Sequence, residues 1–154
     1  MPATILYKRA TFVTQLPVGH LYSPSHCWLA PAAAGRWRVG FTKFALRMLG
    51  ELVDVQFEKP VGAPIQPGEI LGSIEGFKAL SDLYCVGQGT FAGGNPALRE
   101  DLDRLARSPY EDGWLYEFDG TPDVRCLSME GYRDLLDVTI DRILEKQKSD
   151  EAAV

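Results

Sequence analysis

Apolar stretches in the first two-thirds of the chain are short, and glycine or proline closes almost every one of them. That punctuation limits the fold more than any other feature, because a strand needs far fewer uninterrupted residues than a helix. Arg36-Trp37-Arg38-Val39-Gly40-Phe41 alternates polar and apolar side chains, the pattern of a half-buried strand. Leu52-Val53-Asp54-Val55-Gln56-Phe57 alternates again and stops before Pro60. Phe12-Val13-Thr14 and Leu21-Tyr22 are further short pieces. Many short strands with frequent turn signals predict a mainly β module, a sandwich or barrel-like body with added helices.

Three segments read as helix. Thr42 to Gly50 has a capping threonine, an apolar face of Phe44, Ala45, Met48 and Leu49, and a terminating glycine. A second helix is expected from Asn95-Pro96, with Leu98, Leu102 and Leu105 on one face. The longest is expected over 128–147, where Tyr132, Leu135, Leu136, Thr139, Ile140, Ile143 and Leu144 form an apolar stripe. Packing against the β body is the simpler use of that stripe, and a partner-binding helix is the other. The 154 residues are expected to form one domain, with 1–20 as an N-terminal extension and 148–154 as a frayed tail.

The formal net charge is −5, and the lysines and arginines are scattered among acidic residues, so no phosphate-neutralising surface for nucleic acid is expected. No apolar run is long enough to span a membrane, and the N-terminus lacks a signal-peptide core. Cys27, Cys85 and Cys126 are odd in number, widely spaced and without zinc-ligand spacing. They read as reduced thiols in a cytoplasmic protein with no metal site. Gly87, Gly89, Gly93 and Gly94 lack the context of a phosphate loop and fit tight turns.

The stretch Gly68 to Tyr84 carries the chemistry. Ile70, Leu71 and Ile74 precede a small polar turn, and Leu83, Tyr84 and Val86 follow it. This is a hairpin with Gly76-Phe77-Lys78-Ala79 near its tip. It sets Lys78 exposed on a two-stranded base. A lone exposed lysine usually does no more than solvate a surface, so the surroundings must decide its role.

Those surroundings resemble the H-protein family of the glycine cleavage system. Leu21-Tyr22-Ser23-Pro24-Ser25-His26-Cys27-Trp28-Leu29 is similar to the family's opening motif, and Arg38-Val39-Gly40-Phe41-Thr42 and Leu49-Gly50-Glu51-Leu52-Val53 follow in order. Glu75-Gly76-Phe77-Lys78-Ala79-Leu80-Ser81-Asp82 is similar to its modified hairpin, and Ser108-Pro109-Tyr110-Glu111-Asp112-Gly113-Trp114 comes at the expected distance beyond. The resemblance implies a lipoyl/biotinyl-type flattened β-sandwich with a C-terminal helix. It implies lipoate joined as an amide to Lys78, recognition by a lipoate-attaching enzyme through Glu75 and Asp82, and no catalytic residues of the chain's own. Biotin carriers share the architecture but place Met on both sides of the lysine, where this chain has Phe77 and Ala79.

Departures from the family cluster around that lysine. Cys27 stands where the opening motif has Glu, Gly76-Phe77 replaces Ser-Val, and Cys85-Val86-Gly87-Gln88-Gly89 replaces Ser-Pro-Val-Ser-Gly. The extension Ala3 to His20 also differs. Gly76, Phe77, Ala79, His26 and Cys85 are expected at the arm or partner surface; for Cys85 a buried inert thiol is the commoner outcome, and exchange with a lipoyl disulfide is the other. These changes favour the lipoate-binding protein of heterodisulfide-reductase-like sulfur oxidation, whose arm would carry sulfur intermediates to a heterodisulfide-reductase-like complex. The alternative is the H-protein that carries the aminomethyl group among the glycine cleavage enzymes. A second alternative is an unmodified H-protein-like interaction module. His26 beside an aromatic reads first as a structural hydrogen-bonding residue.

Overall fold

The structure, a computed structural model, describes residues 3–152. The chain opens with a hairpin, β1 (Thr4–Arg9) and β2 (Phe12–Pro17), paired along its whole length. A six-stranded antiparallel sheet follows from β3 (Leu21–Tyr22), β4 (Cys27–Ala33), β5 (Arg36–Phe41), β7 (Pro64–Ile65), β10 (Gly87–Gly94) and β11 (Tyr116–Pro122), in the order β3-β4-β5-β11-β10-β7. A three-stranded sheet, β6-β8-β9, is built from β6 (Leu52–Phe57), β8 (Ile70–Gly76) and β9 (Leu80–Tyr84). Leu29, Val39 and Phe118 from the larger sheet meet Leu71, Ile74 and Leu83 from the smaller one in a single buried cluster. Burial of that apolar area between two sheets makes this the flattened β-sandwich expected.

Helix α1 (Lys43–Leu49) joins the two sheets. Thr42 caps it by accepting from the Ala45 amide, and Gly50 ends it at φ 76°. The helix expected from Asn95 is not continuous. A 3-10 turn at Pro96–Arg99 is separated from the single turn α2 (Arg104–Arg107). Asn95 caps the first piece as foreseen, while its side-chain amide also donates to the Asp112 and Trp114 carbonyls and anchors it. The acidic run Glu100-Asp101 and Asp103 interrupts the helix, with Asp101 turned onto Arg107 and Arg104. Leu98 and Leu105 still reach the core, because each short piece orients one of them.

The C-terminal helix α3 (Met129–Ala152) starts where the sequence places it, with Ser128 accepting from the Gly131 amide. The frayed tail expected from 148 is helix through Ala152, and residues 153 and 154 lie outside the described residues. Its apolar stripe lies on the N-terminal hairpin and on β3 rather than on the sandwich interior. Tyr132, Leu136 and Ile140 join Tyr7, Phe12, Leu16 and Tyr22 in a second cluster, where Tyr22 and Tyr132 stack at 4.7 Å. Arg9 grips Asp141 with two hydrogen bonds, and the Tyr7 hydroxyl donates to Asp137 at 2.7 Å. Hairpin and helix therefore form one layer beside α1. Among the described residues no helix is long and apolar enough to cross a membrane.

Candidate functional site

The hairpin of β8 and β9 places Lys78 at its tip. The tip does not stand free, as the sequence alone suggests, but is docked on the end of α1. The Lys78 amide donates to the Leu49 carbonyl at 2.9 Å, and the Phe77 amide donates to the Glu51 carbonyl at 2.9 Å. The last carbonyls of a helix have no partner within the helix, so the Lys78 amide satisfies one that α1 leaves open, while Glu51 lies just beyond the helix end. Gly76 makes the approach close enough. A Cβ at that position would lie 2.1 Å from the Leu49 carbonyl oxygen.

The Lys78 side chain is exposed, and among the described residues its Nζ donates only to the Arg47 carbonyl, at 3.4 Å. No carboxylate pairs with it among the described residues. Acylation of this amine costs one long hydrogen bond and no ion pair, and the amide formed needs no counter-ion. The residues present thus fit a covalent acyl arm.

Glu75 and Asp82 are both exposed beside the tip, with Glu75 opposite Leu80 and Asp82 opposite Ser73. Asp54 lies opposite Glu75 on the neighbouring strand, so two like charges face each other on one sheet surface. Phe77 is 75% exposed and Leu80 is 72% exposed, which puts two large apolar side chains in water on either side of the lysine. Ala79 is exposed with them.

Two expected surface residues are elsewhere. Cys85 is buried, with its thiol against the Gly87 carbonyl at 2.9 Å, and burial raises its pKa to about 11. It offers no nucleophile to the arm, because packing against the core removed the access that its place after the hairpin suggested. His26 bonds through Nδ1 to the Tyr132 hydroxyl at 2.9 Å, and that hydroxyl also meets Thr42 Oγ1 at 2.8 Å. Its backbone is left-handed at φ 70°, and burial lowers its pKa to about 4. It is a neutral structural residue, packed on Phe44 at 4.7 Å. Cys27 is buried too, and burial pushes its thiol up to about 12.

Sequence reasoning missed a groove beside the lysine, of about 480 Å³. Phe12, Phe44, Met48, Ile140 and Ile143 line it, with Arg47 and Lys78 at its rim. The signal was present in part, since the stripe on α3 and the apolar face of α1 are both legible. Which third element they meet was not. A larger depression of about 1150 Å³ lies between β6 and β10, but it does not include Lys78.

The family model for glycine cleavage H-protein matches residues 20–133. The chain belongs to the glycine cleavage H-protein family. It is 34% identical to the glycine cleavage system H protein of Corynebacterium jeikeium over 79% of this chain and 97% of the relative. With that of Micrococcus luteus the identity is 40%, over 68% of this chain and 82% of the relative. The crystal structure of the H protein from Mycobacterium marinum superposes with a TM-score of 0.68 at 35% identity, covering 76% of this chain and 95% of that one. H-proteins carry lipoate covalently on a lysine and serve enzymes rather than being enzymes, and this chain is such a lipoyl carrier. The expected sulfur-oxidation branch has no counterpart in these matches, which favour the glycine cleavage alternative.

Proposed function

We propose that Lys78 holds the lipoyl arm and that the arm carries the aminomethyl group between the enzymes of glycine cleavage. The observation that carries the first half is the exposed amine, without an ion pair among the described residues, on a hairpin tip pinned to α1. The relatives' shared name supports the second half. Lipoate supplies a dithiolane that opens to a dithiol, accepts a group and exchanges electrons with partner thiols. The chain presents it. Glu75 and Asp82 on the outer sheet face are the contacts for a lipoate-attaching enzyme, and Phe77 and Ala79 belong to the surface that partner enzymes meet. A cytoplasmic location goes with this reading and with three free thiols.

Intact mass after co-expression with a lipoate-attaching enzyme tests the attachment. The expected result is one lipoyl gain, abolished in Lys78→Arg. A gain that survives the substitution places the arm elsewhere. Glycine-dependent exchange of carbon dioxide, with the glycine decarboxylase as partner, tests the cargo. A fully lipoylated chain that supports no exchange rejects the aminomethyl reading. One observation favours the sulfur-carrier reading with a heterodisulfide-reductase-like partner. Among the described residues no carboxylate lines the groove beside Lys78, and Arg47, unlike Arg9, has no ion-pair partner, which suits an anionic sulfur intermediate better than an ammonium.

A further inference from the structure

The outer edge of β6 is open. Glu58 donates to the Leu71 carbonyl at 2.8 Å, and the register from there pairs Gln56 with Ser73 and Asp54 with Glu75. Hydrogen-bonded and non-hydrogen-bonded pairs alternate in an antiparallel ladder, so Val55 and Phe57 turn their amides and carbonyls away from β8. β6 ends its sheet, and among the described residues these backbone groups have no hydrogen-bond partner.

This edge is one side of the depression of about 1150 Å³. Ala92-Gly93-Gly94 of β10 and the turn after Asn95 line the other side. Gly94 leaves room for the Phe57 ring, which lies 2.6 Å from where a Cβ would stand. Val55, Phe57 and Leu102 pack on the main core from here but stay only partly covered. Val53 to Phe57 all line the depression, so it has the length of an ordinary strand. An extended chain laid in it satisfies the open backbone groups and covers the three apolar side chains.

The edge also selects. Opposite Val55 and Phe57, an added strand points its side chains to the same inner face, where apolar groups fit. Opposite Asp54 it points outward. Asp54 already faces Glu75 across the ladder, and among the described residues neither is in an ion pair. A cation beside Asp54 relieves that repulsion. A second copy of this chain, paired edge to edge about a twofold at Val55, sets Gln56 there and brings no cation.

We propose that the edge of β6 binds an extended segment of a partner protein, added antiparallel, with apolar residues opposite Val55 and Phe57 and a lysine or arginine opposite Asp54. The hairpin tip belongs to β8 and β9, so a partner held at β6 leaves Lys78 free. The proposal does not rest on lipoylation of that lysine.

The test titrates the full-length chain with the peptide acetyl-Thr-Val-Thr-Val-Lys-Thr-amide. Amide resonances of Val55, Phe57 and Gly93 are expected to shift, and hydrogen exchange at the Val55 and Phe57 amides to slow. Replacing the peptide's lysine with glutamate weakens binding roughly tenfold, and Asp54→Asn removes most of that difference. N-methylation of both peptide valines abolishes binding, because their amides face β6. Absence of shifts up to the peptide's solubility limit overturns the proposal. So does equal binding of the N-methylated or glutamate peptide. Protection of the same two amides without peptide, rising with protein concentration as a dimer forms, gives the edge to a second copy and overturns it too. The lipoyl gain at Lys78 is read separately by mass, and none of these outcomes alters it.

Discussion

The Leu49 carbonyl accepts a hydrogen bond from the Lys78 amide at 2.9 Å. A modified lysine at a hairpin tip would otherwise swing with the whole tip. Here the end of a helix fixes its backbone, and only the side chain is free. Position and reach are separated, which is what a carrier visiting several enzymes requires.

The Gly76 contact with Leu49 gives the first expectation. Gly76→Ala puts a Cβ where the Leu49 carbonyl oxygen already lies, so the tip must lift from α1. Overpacking of this kind costs about 1–3 kcal/mol. Urea unfolding should show that loss, and lipoylation by the attaching enzyme should slow. Wild-type stability and rate together would show that the docking does not hold the lysine.

Tyr132 joins three elements through one hydroxyl, to His26 and Thr42. Tyr132→Phe leaves both partners short of a bond in a buried place, at a cost of about 1–3 kcal/mol. Thermal unfolding measures it. A melting point unchanged by the substitution contradicts the role given to this hydroxyl.

His26 adds a pH dependence whose sign follows from burial. Its folded pKa of about 4 lies below the ordinary value of 6.5, so the unfolded chain binds the extra proton first. The neutral form's contribution is complete above pH 6.5 and is lost as pH falls toward 4, amounting to at most about 3 kcal/mol. Asn tolerates the left-handed backbone at φ 70° and does not titrate. The difference in stability between wild type and His26→Asn should therefore shrink as pH falls through that window. A constant difference means His26 does not titrate as burial dictates.

Ala10 turns the N-terminal hairpin at φ 53°. A side chain in that region costs roughly 1–2 kcal/mol, part of which a glycine returns through its freer unfolded state. Ala10→Gly is expected to stabilise the protein by about 0.5–1 kcal/mol in chemical denaturation. Destabilisation would place the strain elsewhere.

Thiol chemistry separates the cysteines by access. Burial holds Cys27 at about 12, and Cys85 and Cys126 at about 11. At neutral pH the native chain should react with iodoacetamide far more slowly than free cysteine, by a factor on the order of a hundred from the thiolate fraction alone. Cys126, the half-exposed one, should be labelled first. Rapid labelling of Cys85 would reopen its exchange with the arm.

The strands Arg36–Phe41 and Leu52–Phe57, the helix capped by Thr42 and the hairpin bearing Lys78 were all legible in the chain. Each rests on alternation, capping or a turn, which neighbouring residues decide among themselves. The order of motifs around Lys78 was legible too, and with it the carrier chemistry. Three things were decided only by tertiary packing. Cys85, in the link between β9 and β10, went inward to the core, although its neighbour Tyr84 is exposed. The helix expected after Asn95 broke because Leu98 and Leu105 had to reach one core from an acidic linker. The hairpin tip found the end of α1, and the extension found α3, through contacts between residues far apart in sequence. Local patterns gave Lys78 its hairpin, but its fixed backbone and the charged groove beside it depend on carbonyls and guanidinium groups supplied by other elements.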